Sequence, residues 1–498
     1  MNVNPITRLD YPDLDVIRVE DTYYMVSTTM HFMPGCEILQ SFDLVHWEHV
    51  TYVYETLDHT DAQQLKSGQN IYGQGMWAAS LRYHEGRFCI CFVANDTRKT
   101  YLYTSEKIDG PWKKQLIEGF YHDGSLLFDE DGRNYIVYGN DEIWITELNE
   151  DLTAPKKDGL HRLLVSDHKN PELGYEGSHI QKINGYYYIF LVHSLRDRWM
   201  RTEACFYSDS LEGEFTGGDV LCDDRGYCGQ GVAQGGIVDT PDGKWYAILF
   251  QDSGAVGRLP ILLPVTWKDH FPFFGQNGHV PEEIEVHSTR PGYIYQPLVG
   301  SDDFCNGLLP RWQFNHDPDP RYYHLDALQG TYTITTREVC TELTQAVNTL
   351  TQRMSYPSCA AEVTVDASAL KEGDVAGLCA LQSCYAAVGI TKHHGKYEVL
   401  MLDKKEDGIL DMTEGNVVES HQMDFRLEAD FCNMKDEARC YYRVNKGDWL
   451  PVGTVHKLYF KLDHFTGCRF GLFCYAAEET GGSACFRDFK YYDVDEIS

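Results

Sequence analysis

Three carboxylates have the first claim on chemistry. Asp13, Asp123 and Glu176 each stand just ahead of a recurring phrase, and Ala78 and Gln234 hold the matching places ahead of two further copies. The phrases are DVIRVEDTYYMVS from Asp15, SLRYHEGRFCICFV from Ser80, SLLFDEDGRNYIVYG from Ser125, SHIQKINGYYYIFLV from Ser178 and GGIVDTPDGKWYAILF from Gly235. Acids beside an apolar strand are rare unless they are paired or functional. Three around one pocket suit hydrolysis of a glycosidic bond. One, kept protonated, serves the leaving oxygen. One acts as base on water or as nucleophile. A third charge holds the acid protonated and in place. A metal site or a structural ion-pair cluster would use the same residue types and stays open at this point.

The elements that must position these acids are short strands. Each phrase reads as a strand, a tight polar turn and an aromatic-rich strand, with turns at Glu20-Asp21, Glu85-Gly86, Asp131-Gly132, Asn184-Gly185 and Asp242-Gly243. These are hairpin signals. SFDLVHW (41–47), SEKIDGPW (105–112) and SDSLEGEF (208–215) follow three of them and read as an outer strand ending in a turn and an aromatic. Five units at intervals of about 45–65 residues predict the four-stranded blades of a β-propeller. A pair of β-sandwiches is the alternative. In a propeller the innermost strand of each blade lines a central channel, so matching positions from distant parts of the chain converge on one axis.

Composition narrows the partners. The 498 residues carry a formal charge of −32, which would repel nucleic acid and an anionic membrane surface but leaves neutral sugars allowed. The 33 Tyr suit strands and can offer flat platforms to sugars. Sixteen Cys occur without a C-x-x-C pair, which speaks against zinc or thioredoxin-like sites; Cys89 and Cys91 read as small hydrophobes on one strand face. The polar, acidic opening shows no signal-peptide pattern and no apolar run reaches membrane length, so a cytoplasmic protein with reduced thiols is expected.

At this level of detail the chain resembles glycoside hydrolase family 43. The segment NPITRLDYPDLDVIRVEDTYYMVSTTMHFMPGCEILQSFDLVHW is similar to that family's opening, and MWAAS (76–80), HDGSLLFDEDGRNYIVYG (122–139), YEGSHIQKINGYYYIF (175–190) and QGGIVDTPDGKWYAILFQDSGAVGRLPILLPVTW (234–267) follow in order. The resemblance implies a five-bladed propeller and an inverting single displacement. Asp13 would be the base, Glu176, in its E-G-[SP]-H motif, the general acid, and Asp123 the residue that tunes it. Inversion needs base and acid ~6.5–9.5 Å apart. It further implies sugar contacts from Trp77 as an aromatic wall, from Arg258 in GRLP, from Gln234, and from a loop of Met30, His31 and Phe32 in which His31 is read as a surface residue making contact only. Two departures stand out: PDLD replaces the commoner PDP, and Ala233 stands where related chains often carry a His. That His supports a central Ca²⁺ or a water network in some members, so a central metal is in doubt here. No cofactor is required and no metal ligand is assigned; Ca²⁺ is allowed as a structural ion.

A Pro/Gly cluster in STRPGYIYQPLVGSDDF places a domain boundary near 295–301, giving a catalytic propeller over 1–300 and a second domain over 301–498. Alternating runs at 360–368, 386–394, 396–402, 439–445 and 455–465 predict a two-sheet sandwich. The resemblance, which extends to the β-xylosidase and α-L-arabinofuranosidase branch with such a domain, makes it concanavalin-like. Asp303 and Asp488 are its candidate Ca²⁺ ligands, and Phe465 is the candidate cap over the pocket. The fold class is therefore all-β, a five-bladed propeller followed by a β-sandwich. The expected activity is exo-hydrolysis that releases terminal arabinofuranose or xylose from xylan- or arabinan-derived oligosaccharides. A non-catalytic carbohydrate-binding propeller is the reading from another class, and a retaining fructan-type hydrolase is a third.

Overall fold

Five four-stranded antiparallel sheets follow one another along the chain, each a simple meander. The computed structural model describes residues 3–413 and 415–493, so the expected limits at residues 1 and 498 lie outside the described residues. The innermost strands are Asp15–Val19, Met76–His84, Ser125–Phe128, Glu176–Ile183 and Val232–Asp239. Each touches the innermost strand of the next blade, and the fifth touches the first, which closes the ring. The hairpin turns fall where the polar pairs stand: Val19 faces Thr22, His84 faces Arg87 and Ile183 faces Tyr186 across two-residue loops. The phrases 41–47, 105–112 and 208–215 are not outer strands. They are the connections into the outermost strands, with Trp47 and Phe215 buried as plugs.

Among the described residues, five buried apolar clusters fill the five gaps between neighbouring blades. Alternation along each strand sends side chains to both blade faces, so each face packs on a neighbour. Cys89 and Cys91 lie together in the gap between the second and third blades, behaving as small hydrophobes. All sixteen cysteines are free thiols. The ring is fastened by residues 4–11, which run along the third strand of the fifth blade. The side chain of Asn4 exchanges hydrogen bonds with the backbone of Leu262 (2.7 and 2.8 Å), and Tyr11 N–H donates to the Arg258 carbonyl (3.0 Å).

On the propeller axis a fully buried carboxylate ties the blades together. Asp15 Oδ2 accepts from Arg82 Nη1 (2.7 Å) and from the Leu81 N–H (2.8 Å), and its Oδ1 lies 3.1 Å from His179 Nδ1. Arg82 also reaches Ser125 Oγ (2.7 Å) and the carbonyls of Leu126 and Ile180. The fifth blade comes close because it presents Gly236; a Cβ there would sit 3.1 Å from Asp15 Oδ1. Burial pushes the Asp15 carboxyl up, but Arg82 and His179 outweigh it and hold the group at about 2.

The remaining strands form a nine-stranded sheet and a seven-stranded sheet around one large apolar core, the sandwich expected from the sequence. One strand of the larger sheet comes from the propeller: Phe32–Met33 pairs with Gln313–Asn315 as its edge. Further ties cross between the two regions. Arg353 pairs with Glu37 (2.8 Å) and lies over the Tyr11 ring, Asp10 accepts from the Gly467 N–H (2.8 Å), and the Arg469 guanidinium stacks on Phe32. The run 455–465, expected as one strand, is a strand only to Lys457. Residues 458–465 form a loop: Leu458 stays in the sandwich core, Leu462 is exposed, and the end of the loop reaches across to the propeller. His464 packs on His31 and Phe465 on Trp77. Between the two regions, residues 275–300 strap back over the first blade through Thr289, Arg290, Tyr293 and Tyr295.

Removing the Arg82 cation from the axis leaves the buried Asp15 to His179 and the Leu81 N–H, so Arg82→Met is expected to cost ~3–5 kcal/mol of stability. Urea unfolding followed by tryptophan fluorescence measures this, and an unchanged midpoint would contradict the structural role given to the pair.

Candidate active site

The five positions ahead of the repeats share a backbone feature. Asp13, Ala78, Asp123 and Gln234 have φ of 51°, 22°, 48° and 67°, all in the left-handed region. In the fourth blade the left-handed residue is Gly177 (φ 66°), one beyond Glu176. Register shifts bracket Ala78, Gly177 and Gln234 where the innermost strands enter their blades. Left-handed backbone costs a non-glycine residue about 1–2 kcal/mol, and such kinks re-aim side chains and cluster at functional sites.

The kinks bring the acids together. Glu176 is the first residue of its strand, and its Oε2 accepts from Asn140 Nδ2 (2.7 Å). Asp123 Oδ2 accepts the Gly177 N–H (3.1 Å), which locks the third blade to the backbone beside Glu176. His122 Nε2 lies 3.6 Å from Asp123 Oδ2 and 3.7 Å from Glu176 Oε2. From the fifth blade, Arg258 donates to Asp13 Oδ1 (2.9 Å) and to the Phe465 carbonyl (3.4 Å). Burial pushes the Asp123 carboxyl up to about 6; the His122 charge opposes this, while Glu176 and Asp13 add to it. The Asp123 charge in turn lifts His122 to about 9 against the pull of burial, helped by Glu176 and Asp13. At neutral pH the imidazole is therefore a cation. Three acids are balanced by two cations, Arg258 on Asp13 and His122 between Asp123 and Glu176.

Among the described residues, His122, Asp123 and Glu176 are the three ligating-type side chains whose donor atoms come within 4.8 Å of one another. The oxygens nearest the ring already accept polar hydrogens, Glu176 Oε2 from Asn140 and Asp123 Oδ2 from the Gly177 N–H. Asp303 and Asp488 belong to no such grouping among the described residues, and the Asp303 carboxylate caps the Cys305 N–H.

The walls are aromatic. The Trp77 ring lies 5.4 Å from Phe465 and 6.1 Å from His122, and the Arg258 guanidinium sits 4.5 Å from the Phe465 ring centre. A cavity of about 740 Å³ opens beside Glu176, lined by Trp199, Arg201, Phe460, Leu462 and Phe465. Both regions of the chain thus build one pocket, and Phe465 stands at its wall. Gln234 packs over Gly177, behind Glu176, while its N–H donates to the buried Glu203 (2.7 Å). Met30 is buried and exchanges backbone hydrogen bonds with Met76 (3.1 Å each), which steadies the strand that carries Trp77. His31 departs from the surface position expected for it. Its ring is fully buried against Phe32, Tyr72, His316 and His464, because the sandwich strand pairing with Phe32–Met33 draws the loop inward; burial holds the imidazole well below its usual range, hence neutral. Met30 and His31 are not among the residues lining the cavity beside Glu176.

Three side chains of the site carried no sequence signal of their own. His122 adjoins Asp123 in the phrase HDGS, Asn140 ends the second strand of the third blade, and Arg201 lies on the cavity wall with Nε bonded to Asp252 (2.9 Å). Only His122 stood beside a marked residue.

Comparison with known proteins bears on this geometry. Residues 3–272 match the model described as glycosyl hydrolases family 43, and residues 301–492 match that of the beta-xylosidase C-terminal concanavalin A-like domain. A beta-xylosidase of Formosa agariphila is 26% identical over 554 aligned positions, covering 99% of this chain and 89% of its own. A bifunctional GH43-CE structure from Bacteroides eggerthii superposes with a TM-score of 0.92 at 41% identity; it covers 99% of this chain, which spans 64% of that longer one. An engineered GH43 enzyme with both endo-xylanase and exo-arabinofuranosidase activity superposes with a TM-score of 0.85 at 27% identity, covering 99% of each chain.

Gly177 stands beside the acid at a position that resists a side chain. A Cβ there would meet Gln234 Cγ at 2.7 Å on left-handed backbone. Gly177→Ala is expected to destabilise by ~1–3 kcal/mol and to displace Glu176, read as a lower melting temperature together with lost turnover; wild-type values for both would contradict this placement.

Proposed function

We propose a function from one premise: the chain belongs to glycosyl hydrolases family 43 and is a glycoside hydrolase. The reading is an exo-acting, inverting α-L-arabinofuranosidase and/or β-xylosidase that removes terminal arabinofuranose or xylose from short xylan- or arabinan-derived oligosaccharides. The observation that carries it is the meeting of Asp13, Asp123 and Glu176 from three blades, with Arg258 joining Asp13 to Phe465 of the other region and Glu176 lining the cavity beside it. The names of the similar proteins support the choice of sugars.

In this reading Asp13 is the base. Its contact with Arg258 aims it, and it takes a proton from water as the water attacks the anomeric carbon. Glu176 gives its proton to the leaving oxygen, oriented by Asn140. Asp123 is the third charge, fixed by the Gly177 N–H beside the acid. Trp77 receives the apolar face of the terminal sugar. The Phe460–Phe465 loop closes one end, which favours release of terminal units over cuts within a polymer. The leaving group occupies the cavity beside Glu176, since the acid must face the departing oxygen. Sixteen unpaired thiols suit a reducing compartment, and a cytoplasmic address acting on imported oligosaccharides is part of the proposal. No cofactor is assigned a step.

Wild-type protein should hydrolyse an aryl β-xyloside or an aryl α-arabinofuranoside with inversion, visible as product anomers by NMR. Glu176→Gln should lose about 10²–10⁴-fold in kcat on unactivated oligosaccharides and less on aryl glycosides, whose leaving groups need little protonation. Asp13→Asn should lose activity on both. Sugar binding without wild-type turnover would establish the binding-module reading instead, and retained anomers would remove Asp13 from the role of base.

A further inference from the structure

His122 remains unexplained by the roles given to the three acids. Its Nε2 is buried and without a hydrogen-bond partner, yet it lies between two carboxylates at 3.6 and 3.7 Å, close enough for charge and too far for a hydrogen bond. Asp123 faces it from the same turn, Glu176 from the fourth blade and Asp13 from the first. The second blade offers only the uncharged Trp77 ring. The cations nearby are spoken for: Arg258 is bonded to Asp13, and Arg201 to Asp252.

Resting on the hydrolase reading above, we propose that His122 is a positioning residue that sets the pH window of the reaction: its ring, held between Asp123 and Glu176, places a positive charge beside the acids that exchange protons with substrate and water. The sign follows from the charge. A cation beside a carboxyl group favours the anion, so its presence lowers every carboxyl around it and its removal raises them all. Without it, the buried Asp123 and the half-buried Glu176 face each other with no cation between them, and the pair releases its last proton at higher pH. Both limbs of the bell-shaped profile therefore move the same way. An uncharged side chain of similar size would leave the three acids in place with their protons held more tightly. The wild-type histidine thus exchanges reach into alkaline pH for activity at neutral and mildly acidic pH.

The test is the pH dependence of kcat/KM on an aryl β-xyloside or aryl α-arabinofuranoside for wild type, His122→Gln and His122→Phe. Each variant removes the charge, and the phenylalanine keeps the ring volume. Both limbs are expected to rise by about one pH unit or more. A folded variant with lower kcat but unmoved limbs would mean a structural role alone and overturn the proposal. If neither variant folds, NMR of the wild-type imidazoles between pH 6 and 10 decides: a histidine still cationic at pH 8 supports the proposal, and all histidines neutral by then overturns it. A wild type inactive on both glycosides would tell against the hydrolase reading; an active wild type whose limbs ignore His122 would tell against this inference alone.

Discussion

Asp15 is fully buried and carries a negative charge, and the propeller is built around the means of keeping it so. A buried carboxylate is tolerated only when its oxygens are paired and hydrogen-bonded. Here the partners come from different blades: Arg82 and Leu81 from the second, His179 from the fourth, with Ser125 of the third held by the same arginine and Gly236 of the fifth close against it. One ion therefore fixes the relative rotation of all five sheets. Asp13 stands two residues before Asp15, Asp123 two before Ser125, and Glu176 three before His179. The reacting groups are thus short spurs off the network that holds the axis, and little backbone freedom separates scaffold from chemistry.

The pocket repeats this electrostatic problem at a more open position. Three acids face one another, and each cation that relieves them is placed with a second duty. Arg258 holds Asp13 while reaching the carbonyl of Phe465, so the anion and the wall are fixed by one side chain. His122 relieves Asp123 at the expense of its neighbour Glu176. On the far side of the wall, the histidines His31, His316 and His464 meet at the contact between the two regions, where burial holds all three below their usual range and thus uncharged. Similar imidazoles are charged beside carboxylates and neutral among aromatic rings a short way off.

The blades were legible because a propeller repeats its grammar of alternating strands and polar turns, although the connections before the outermost strands read as strands themselves. The acids were legible because that repeat assigns a phase. What the phase could not show is the bulge that puts Gly177, and not Glu176, at the left-handed position, since an inserted residue in a kink leaves no compositional mark. His122 was hidden for another reason. Its character comes first from Asp123 beside it and then from Glu176 and Asp13, and only the fold shows that these carboxylates face the ring. The loop 458–465 was misread because alternation looks the same whether apolar side chains face their own sheet or a neighbouring domain. His31 was misplaced by the same blindness: residues that will be covered by another part of the chain look like surface until that part is in view.

The strand Phe32–Met33 carries a consequence for how such chains can be remade. It lies in the first blade by sequence and in the sandwich sheet by hydrogen bonding. The bond from Gly467 to Asp10 crosses the opposite way, over 457 positions of chain. A chimera that grafts a foreign sandwich at residues 275–300 would lose an edge strand's partner and bring in a stranger's pocket wall at one stroke. The unit to be moved is neither half alone but the matched pair of segments 28–37 and 458–469, which would have to travel together for a recombinant to keep its contact between the two regions.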